Sequence, residues 1–320
     1  MRLLSLIPLV LLAACGQDDP KKPHDDDTGE TGQQDTLPSP APLTALTDGE
    51  CPDLSASGLS TFSSGGSERT ATVVIPTEPT AGMPVVFFFH GLVGTSPEPT
   101  GYLAEGLDLQ AVADDQGAIF VLPQSRTMTY FGQTFHMWQV WDEDDLDLRL
   151  YDDLRTCVVE GLEADISRVA AMGFSGGALF TTVVARERGD TLASMVEMSG
   201  GSDVDFQYVS EDPLAAYGPP ANAALPALLV SGGDQDGWPQ GFIVVDFQEA
   251  TDRLQAHLLE DGYYLWRCRH DQGHTITMTE WALAKEWALA HTYGGEAVFS
   301  DGRIDDYASW CEVPTLGEDP

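Results

Sequence analysis

Short, continuous apolar segments that alternate with longer helical patterns limit the fold of this chain more than any other feature. Residues 84–90 are the clearest of these segments, because Pro84 and Gly91 bound a run of valine and phenylalanine. Strands that are apolar throughout are buried on both faces, as in parallel sheets, whereas half-exposed strands alternate polar and apolar residues. Each segment of this kind is therefore predicted to be an inner strand of a mostly parallel sheet.

Strands and helices alternate along most of the chain. The segments predicted to be strands are residues 68–76, 84–90, 118–122, 168–172, 194–198, 227–230 and 263–268. The segments predicted to be helices are residues 102–114, 151–163, 177–188, 243–260 and 275–291. This order predicts an α/β fold in which a mostly parallel, doubly wound sheet carries helices on both faces. Ligands of such sheets bind at the C-terminal ends of the strands, so residues that directly follow strands are the first candidates for a site.

A serine in a glycine-rich turn follows the fourth predicted strand. The turn is Gly173-Phe174-Ser175-Gly176-Gly177, which fits the pattern G-x-S-x-G, and a helix is predicted directly after it. In that context the pattern is typical of a nucleophile turn, in which small neighbours allow a tight bend that exposes the serine hydroxyl. Ser175 is therefore the candidate nucleophile.

A serine hydroxyl needs a base within hydrogen-bonding distance, and a carboxylate commonly orients that base. The sixth predicted strand is followed by Asp234 and Asp236, and the seventh by His270 and His274. His274 is the preferred base because Gly273 lets its loop turn, and His270, which is nearer the strand, is then interpreted as a structural residue. Asp236 is preferred as the acid because of its spacing from the preceding glycine, and Asp234 stays an alternative.

Two backbone N–H groups are predicted to stabilise the oxyanion that forms when a carbonyl group is attacked. One belongs to Gly176, directly after the nucleophile, and the other to Leu92, in the loop after the second predicted strand. His90 ends that strand but precedes Ser175 in the chain, so we interpret it as hydrogen-bonding support for the loop.

Tryptophans are the candidate walls of a substrate pocket. Trp138 and Trp141 lie in an aromatic segment that follows the third predicted strand, and Trp238 lies beside the acid loop. Their positions after strand ends place all three on the side of the sheet where ligands are expected.

Three segments give the chain a resemblance to a known group of enzymes: residues 85–91, 165–177 and 266–274. Over residues 68–291 the chain resembles α/β-hydrolases of the exported feruloyl esterase, acetylxylan esterase and polyhydroxybutyrate depolymerase type. The resemblance implies an α/β-hydrolase fold and a serine carboxylic ester hydrolase that acts through an acyl-enzyme on aromatic, acetylated-sugar or hydroxyalkanoate esters. It implies no metal or organic cofactor. The alternatives are a serine peptidase of the same fold and a non-catalytic, surface-binding lipoprotein with a hydrolase fold.

The first fourteen residues are typical of an export signal, with Arg2 before a short apolar run. Residues 12–15, Leu-Ala-Ala-Cys, are similar to the lipobox of bacterial lipoproteins. This resemblance implies lipidation of Cys15 and anchoring of the exported protein to the bacterial cell envelope, with Gly16 favouring the outer membrane. Residues 15–50 are acidic and poor in large apolar residues, which predicts a disordered tether before a catalytic domain at residues 51–320.

Four cysteines remain besides Cys15, an even number that suits disulfide bonds in an exported protein. All three possible pairings stay open from the sequence. The preferred one joins Cys51 to Cys311, which would connect the two ends of the domain, and leaves Cys157 with Cys268.

Acidic residues greatly outnumber basic ones. The chain has 51 aspartates and glutamates against 15 lysines and arginines, a formal net charge of −36. Such a surface repels phosphate backbones, so the composition argues against a nucleic-acid partner. It does not indicate an oligomeric state.

Overall fold

The computed structural model describes residues 38–95, 98–130, 132–141, 144–206, 209–222, 224–240, 243–299, 306–307 and 309–317. The predicted signal peptide at residues 1–14, the predicted lipidation site Cys15 and most of the predicted tether lie outside the described residues. Within the described part of the chain, no helix combines the length and the apolar character that a membrane span requires.

Strands and helices alternate through the folded chain. The strands are β1 (Gly58–Ser64), β2 (Ser67–Val74), β3 (Val85–Phe89), β4 (Val93–Gly94), β5 (Ile119–Pro123), β6 (Arg126–Tyr130), β7 (Gln133–Met137), β8 (Val169–Phe174), β9 (Ser194–Met198), β10 (Ala227–Ser231), β11 (Gly237–Gln240), β12 (Ile243–Asp246), β13 (Leu265–Arg269) and β14 (Cys311–Glu312). The α-helices are α1 (Pro99–Gly106), α2 (Leu109–Gln116), α3 (Leu146–Gly161), α4 (Gly176–Arg188), α5 (Phe247–Glu260) and α6 (Met278–Ala290).

Nine strands form one large sheet in the order β1-β2-β5-β3-β8-β9-β10-β13-β14. The six strands from β5 to β13 run parallel to each other, whereas β1, β2 and β14 join the edges antiparallel. All five residues of β3 are buried, as expected for a central parallel strand that is covered on both faces. The prediction of a mostly parallel, doubly wound α/β sheet is confirmed.

A hydrophobic core lies on each face of the sheet. On one face, α3, α4 and α5 pack against the strands through side chains such as Tyr151, Phe180 and Leu254. On the other face, α2 and α6 do so through side chains such as Leu109 and Trp287. The two cores hold the parallel strands in one register, so the loops at their C-terminal ends have a rigid support.

Every predicted strand has a counterpart, but several boundaries differ. The helix predicted at residues 102–114 is two helices, α1 and α2, because Asp108 between them has a φ of 50°, which breaks the helical path. The aromatic segment after β5 forms a hairpin, β6 and β7, that pairs with β4 in a separate three-stranded sheet. β4 has only two residues, and β6 and β7 contain polar residues, so none of them has the continuous apolar run that identifies an inner strand in the sequence.

The structure overturns the preferred disulfide pairing. Cys268 and Cys311 are bonded to each other, because β14 pairs with β13 and places these two residues directly opposite. Cys51 is bonded to Cys157 in α3. The predicted pairing assumed that the two ends of the domain meet. Instead, Cys51 near one end is bonded to α3, and Cys311 near the other end is bonded to β13.

Part of the predicted tether belongs to the folded domain. The backbone N–H of Ala41 donates to the Asp190 carbonyl at 2.8 Å, and the Arg155 guanidinium donates to the Ala41 carbonyl at 2.7 Å. Thr47 donates through its backbone N–H to the buried carboxylate of Asp153 at 2.9 Å. Residues 38–50 therefore pack through polar contacts with α3, which their low hydrophobicity does not reveal.

Candidate active site

Ser175 lies in a tight turn between β8 and α4, with φ 57° and ψ −125°. The turn is possible because Gly173 and Gly177, two residues before and after Ser175, carry no side chains. A Cβ atom on Gly173 would lie 2.2 Å from the carbonyl oxygen of Gly177, and one on Gly177 would lie 2.0 Å from the carbonyl oxygen of Phe89. The nucleophile turn thus needs glycine at both positions, and it holds Ser175 in a conformation that is costly for a residue with a side chain.

The structure brings Ser175, His274 and Asp236 into one hydrogen-bonded chain. His274 Nε2 lies 2.9 Å from Ser175 Oγ, and His274 Nδ1 lies 2.7 Å from Asp236 Oδ1. Because a carboxylate can only accept, Nδ1 carries the proton and Nε2 is free to accept the serine proton. This is the arrangement that turns a serine hydroxyl into a nucleophile.

The buried carboxyl of Asp236 is held in its ionised form by hydrogen bonds. Burial by itself would raise the pKa of Asp236, but the bond to His274 and the backbone N–H of Gly232 outweigh it, and the pKa lies below its usual value. The Gly232 N–H donates to Asp236 Oδ2 at 2.7 Å. The carboxylate can therefore balance the positive charge that His274 acquires when it takes a proton.

Two phenylalanine rings hold the imidazole of His274 in position. The ring of Phe247 stacks on it with centroids 4.4 Å apart and planes 8° apart, and the ring of Phe174 stacks with centroids 4.8 Å apart. Gly273, with φ 71°, turns the chain directly before His274, and its N–H donates to the Gly232 carbonyl at 2.9 Å. The loops that carry the acid and the base are therefore fastened to each other.

The two residues left as alternatives lie outside this chain of hydrogen bonds. Asp234 is exposed and forms an ion pair with Arg269. His270 places its Nε2 3.1 Å from the Glu280 carboxylate at the start of α6, and this bond raises the pKa of His270. His270 is therefore paired with α6.

The predicted oxyanion donors lie side by side next to Ser175. The N–H of Gly176 is the first of α4 and so has no acceptor within the helix. A Cβ atom on Gly176 would lie 3.4 Å from the backbone nitrogen of Leu92, so the two amides are neighbours. A Cβ atom on Gly91, directly before Leu92, would lie 3.2 Å from Ser175 Cβ, so the loop that carries Leu92 passes close to the serine.

His90 supports the loop that carries Leu92. Its Nδ1 lies 2.7 Å from the Gly91 carbonyl, and its Nε2 accepts from the Ser125 N–H at 3.2 Å. Burial lowers the pKa of His90 to about 4, so the ring is neutral, with its proton on Nδ1. A neutral ring fits both bonds, which orient the peptide group that leads into Leu92.

Two cavities meet at Ser175. The smaller, about 60 Å³, is lined by Ser175, Gly176, Leu92 and further apolar side chains. The larger, about 660 Å³, is lined by Ser175, Leu92, His274 and side chains from β3 and α1.

Of the three predicted pocket tryptophans, two line these cavities. Trp138 lines the smaller cavity, and its indole N–H donates to the His90 carbonyl at 2.7 Å. Trp238 lines both. Trp141 lines neither of them, and it lies instead beside Asp147 and Phe180 at a separate cavity. Across the described residues, no group of three or more His, Cys, Asp or Glu side chains is arranged to hold a metal ion.

Three residues at or near the site were not predicted from the sequence: Phe174, Phe247 and Glu197. Phe174 and Phe247 are ordinary core residues by their pattern, and only the folded chain places both beside His274. Glu197 did leave a signal, because it is a glutamate inside the apolar strand β9, opposite Gly173 in β8.

The fully buried Glu197 carboxyl fits a network that needs its proton. Burial raises the pKa of Glu197 to about 8, and hydrogen bonds with Thr182 and the Gly201 N–H oppose this less strongly. Thr182 Oγ1 contacts both the Glu197 carboxyl and the Gly201 carbonyl oxygen, the latter at 2.8 Å. Since a hydroxyl has one hydrogen, both contacts are satisfied when Glu197 donates to Thr182 and Thr182 donates to Gly201.

Replacing Glu197 by Gln is expected to remove a pH dependence of stability. In the native protein Glu197 keeps its proton up to about pH 8, whereas an unfolded glutamate loses it near its ordinary value of 4.5. Stability from this group is complete below the unfolded pKa and is lost as the pH rises through the folded one. In urea titrations, Glu197→Gln should match the wild type near pH 4 and exceed it at pH 8 by about 2–4 kcal/mol. If the free energy of unfolding of the two proteins changed with pH in the same way, this prediction would be contradicted. Glu187→Gln, at an exposed position, is the control.

Comparisons with known proteins identify the fold. No family model and no curated protein sequence matches the chain. Among solved structures, native sOPH is 16% identical with a TM-score of 0.61 over 84% of this chain and 95% of its own. A ferulic acid esterase is 15% identical with a TM-score of 0.54 over 73% and 97%. An S-formylglutathione hydrolase from Agrobacterium tumefaciens is 16% identical with a TM-score of 0.51 over 73% and 94%. The chain therefore has the α/β-hydrolase fold.

Proposed function

We propose that this α/β-hydrolase chain is a serine carboxylic ester hydrolase that acts through an acyl-enzyme. The observation that carries the proposal is the continuous hydrogen-bonded chain from Ser175 through His274 to Asp236, with the backbone nitrogen of Leu92 close to Gly176. The likeness to an esterase and to an S-formylglutathione hydrolase supports it, because both names describe hydrolysis at an acyl group.

In the proposed reaction, Ser175 Oγ bonds to the carbonyl carbon of the ester while its proton moves to His274 Nε2. The carbonyl oxygen becomes an oxyanion between the N–H groups of Gly176 and Leu92. The oxyanion then re-forms the carbonyl, the bond to the alcohol oxygen breaks, and Nε2 returns the proton to that oxygen. Water repeats the sequence on the acyl-enzyme and releases the carboxylic acid.

A fluorophosphonate probe tests the proposal directly, because it bonds to serines that an adjacent base has activated. We expect the folded protein to be labelled at Ser175, identified by mass spectrometry of the peptide that contains it, and to lose hydrolysis of p-nitrophenyl acetate in proportion. Absence of labelling in the folded protein would favour a non-catalytic binding protein with this fold.

We also propose that the protein is exported and anchored to the cell envelope through a lipid on Cys15. Two disulfide bonds among the described residues support export, since such bonds persist in oxidising compartments. Growth with a labelled fatty acid should label the wild type but not Cys15→Ser, and the variant should move from the membrane fraction to the soluble fraction. Equal labelling of both proteins would contradict the anchor.

A further inference from the structure

The two cavities that meet at Ser175 differ about tenfold in size. The smaller holds about 60 Å³, well below the roughly 150 Å³ of an engineered apolar cavity that binds benzene. The larger holds about 660 Å³, within the range of cavities that accept whole organic ligands. Ser175 and Leu92 line both, so a substrate bonded to the serine can place one substituent in each cavity.

The position of His274 decides which substituent enters which cavity. His274 must return a proton to the oxygen of the departing alcohol, so the alcohol has to lie on the side of its Nε2. His274 lines the larger cavity and is not among the residues that line the smaller one. The acyl chain, which stays on the serine, is therefore directed to the smaller cavity, beside Gly176.

Side chains with little freedom line the smaller cavity. Leu179 and Val245 are buried, and Trp138 is fixed between Phe180 and Phe89, with its indole stacked 4.7 Å from the Phe180 ring centroid. The cavity is apolar apart from the serine itself and the backbone. It accommodates about two carbon groups beyond the carbonyl, and it has no room for an aromatic ring or a long chain.

The larger cavity is built for a bulky and largely apolar group. Its wall includes Phe88, Leu103 and Ile276, and the exposed ring of Tyr102 stands at its edge. His90 also lines it, but the ring nitrogens of His90 already bond to Gly91 and Ser125. A sugar would leave most of its hydroxyl groups without partners at such a surface, whereas an aromatic or alicyclic alcohol would bury apolar area.

We infer that the preferred substrates are esters of a short acyl group, of about two to four carbons, with a bulky apolar alcohol. The inference rests on the proposed ester hydrolase function and narrows it to this substrate class. Within the classes implied by the resemblance, it favours acetates of aromatic alcohols over esters of aromatic acids.

The test compares specificity constants along two series of esters. The p-nitrophenyl esters of acetate, butyrate, hexanoate and octanoate vary only the acyl chain. We expect kcat/KM to fall by about tenfold or more between butyrate and octanoate, since each carbon that a closed pocket cannot accept carries a large penalty. The acetates of ethanol, benzyl alcohol and 2-naphthylmethanol vary the alcohol, and here kcat/KM should rise with size.

Matched variants separate the two cavities. Leu179→Ala enlarges only the smaller one and should raise the ratio of hexanoate to acetate hydrolysis by about tenfold. Val245→Ala, which removes less volume, makes the same test if Leu179→Ala does not fold. Tyr102→Ala, at an exposed position, should leave the acyl preference unchanged and weaken the preference for naphthylmethyl over ethyl acetate.

The outcomes distinguish the inference from the function on which it rests. Ser175-dependent hydrolysis with octanoate as good as acetate, or with a preference for methyl esters of bulky acids, would overturn the inference alone. Lack of Ser175-dependent hydrolysis with every ester would overturn the proposed function and the inference together. A shift of acyl preference in Tyr102→Ala but not in the Leu179 and Val245 variants would show that the acyl chain occupies the larger cavity.

Discussion

Ser175→Ala is expected to lower kcat for p-nitrophenyl acetate by about 10⁴- to 10⁶-fold while the protein stays folded. The loss is large because Ser175 supplies the atom that bonds to the acyl carbon, and no other described hydroxyl lies at His274 Nε2. Folding should be unaffected, since alanine fits the space of a buried serine and removes only the bond to His274. The measurement is kcat together with the thermal unfolding midpoint of both proteins.

Ser55→Ala is the control for this change, because Ser55 is exposed and lies outside the site. It should retain wild-type kcat. Persistent hydrolysis by Ser175→Ala at more than a few per cent of the wild-type rate, in protein purified free of host esterases, would contradict the assignment of the nucleophile.

Asp236→Asn is expected to lower kcat by about 10⁴-fold. The amide can present its NH₂ group to His274 Nδ1, so the imidazole proton moves to Nε2, which then cannot accept the proton of Ser175. The negative charge that balances protonated His274 is lost as well. Because the asparagine amide has no proton to lose in this pH range, raising the buffer pH cannot supply the missing negative charge and should not restore the rate of the variant.

Asp234→Asn provides a matched control two residues away. The Asp234→Asn substitution makes the same chemical change on the same loop. The Asp234 carboxylate, however, is exposed and pairs with Arg269. Exposed pairs of this kind contribute about 1 kcal/mol or less, so kcat should stay within about threefold of the wild type. Comparable losses in both variants, or a larger loss in Asp234→Asn, would reverse the choice of acid.

The strand order and the candidate site were largely predictable because their signals are local. A buried parallel strand such as β3 is apolar throughout, and a nucleophile turn needs glycine at Gly173 and Gly177 whatever the rest of the chain does. The order of serine, acid and base follows from the order of the strands that carry them. The roles of Phe174 and Phe247 were not predictable, since a phenylalanine in a core has the same pattern whether or not it stacks on a histidine.

The contacts that join distant parts of the chain were the ones that sequence reasoning could not place. The disulfide bond between Cys268 and Cys311 depends on β14 pairing with β13. β14 has only two residues, too few to show a periodicity from which the strand could be predicted. Residues 38–50 pack on α3 through hydrogen bonds to Asp153 and Arg155, although their composition is that of a solvated segment. Trp141 lies at a different cavity from Trp138, only three residues away, and nothing in the local sequence distinguishes the two tryptophans.

By itself, then, the sequence determined two things. The chain is a doubly wound α/β protein, and Ser175, His274 and either Asp234 or Asp236 can face each other at the strand ends. Hydrophobic periodicity and backbone sterics act between near neighbours, so these features can be recognised in short stretches of residues. Only the tertiary structure decided that Asp236 rather than Asp234 reaches His274, how the cysteines pair, and that the two cavities at Ser175 are unequal. Those features depend on distances between side chains that are far apart in the chain. Packing sets these distances only when the whole domain has folded.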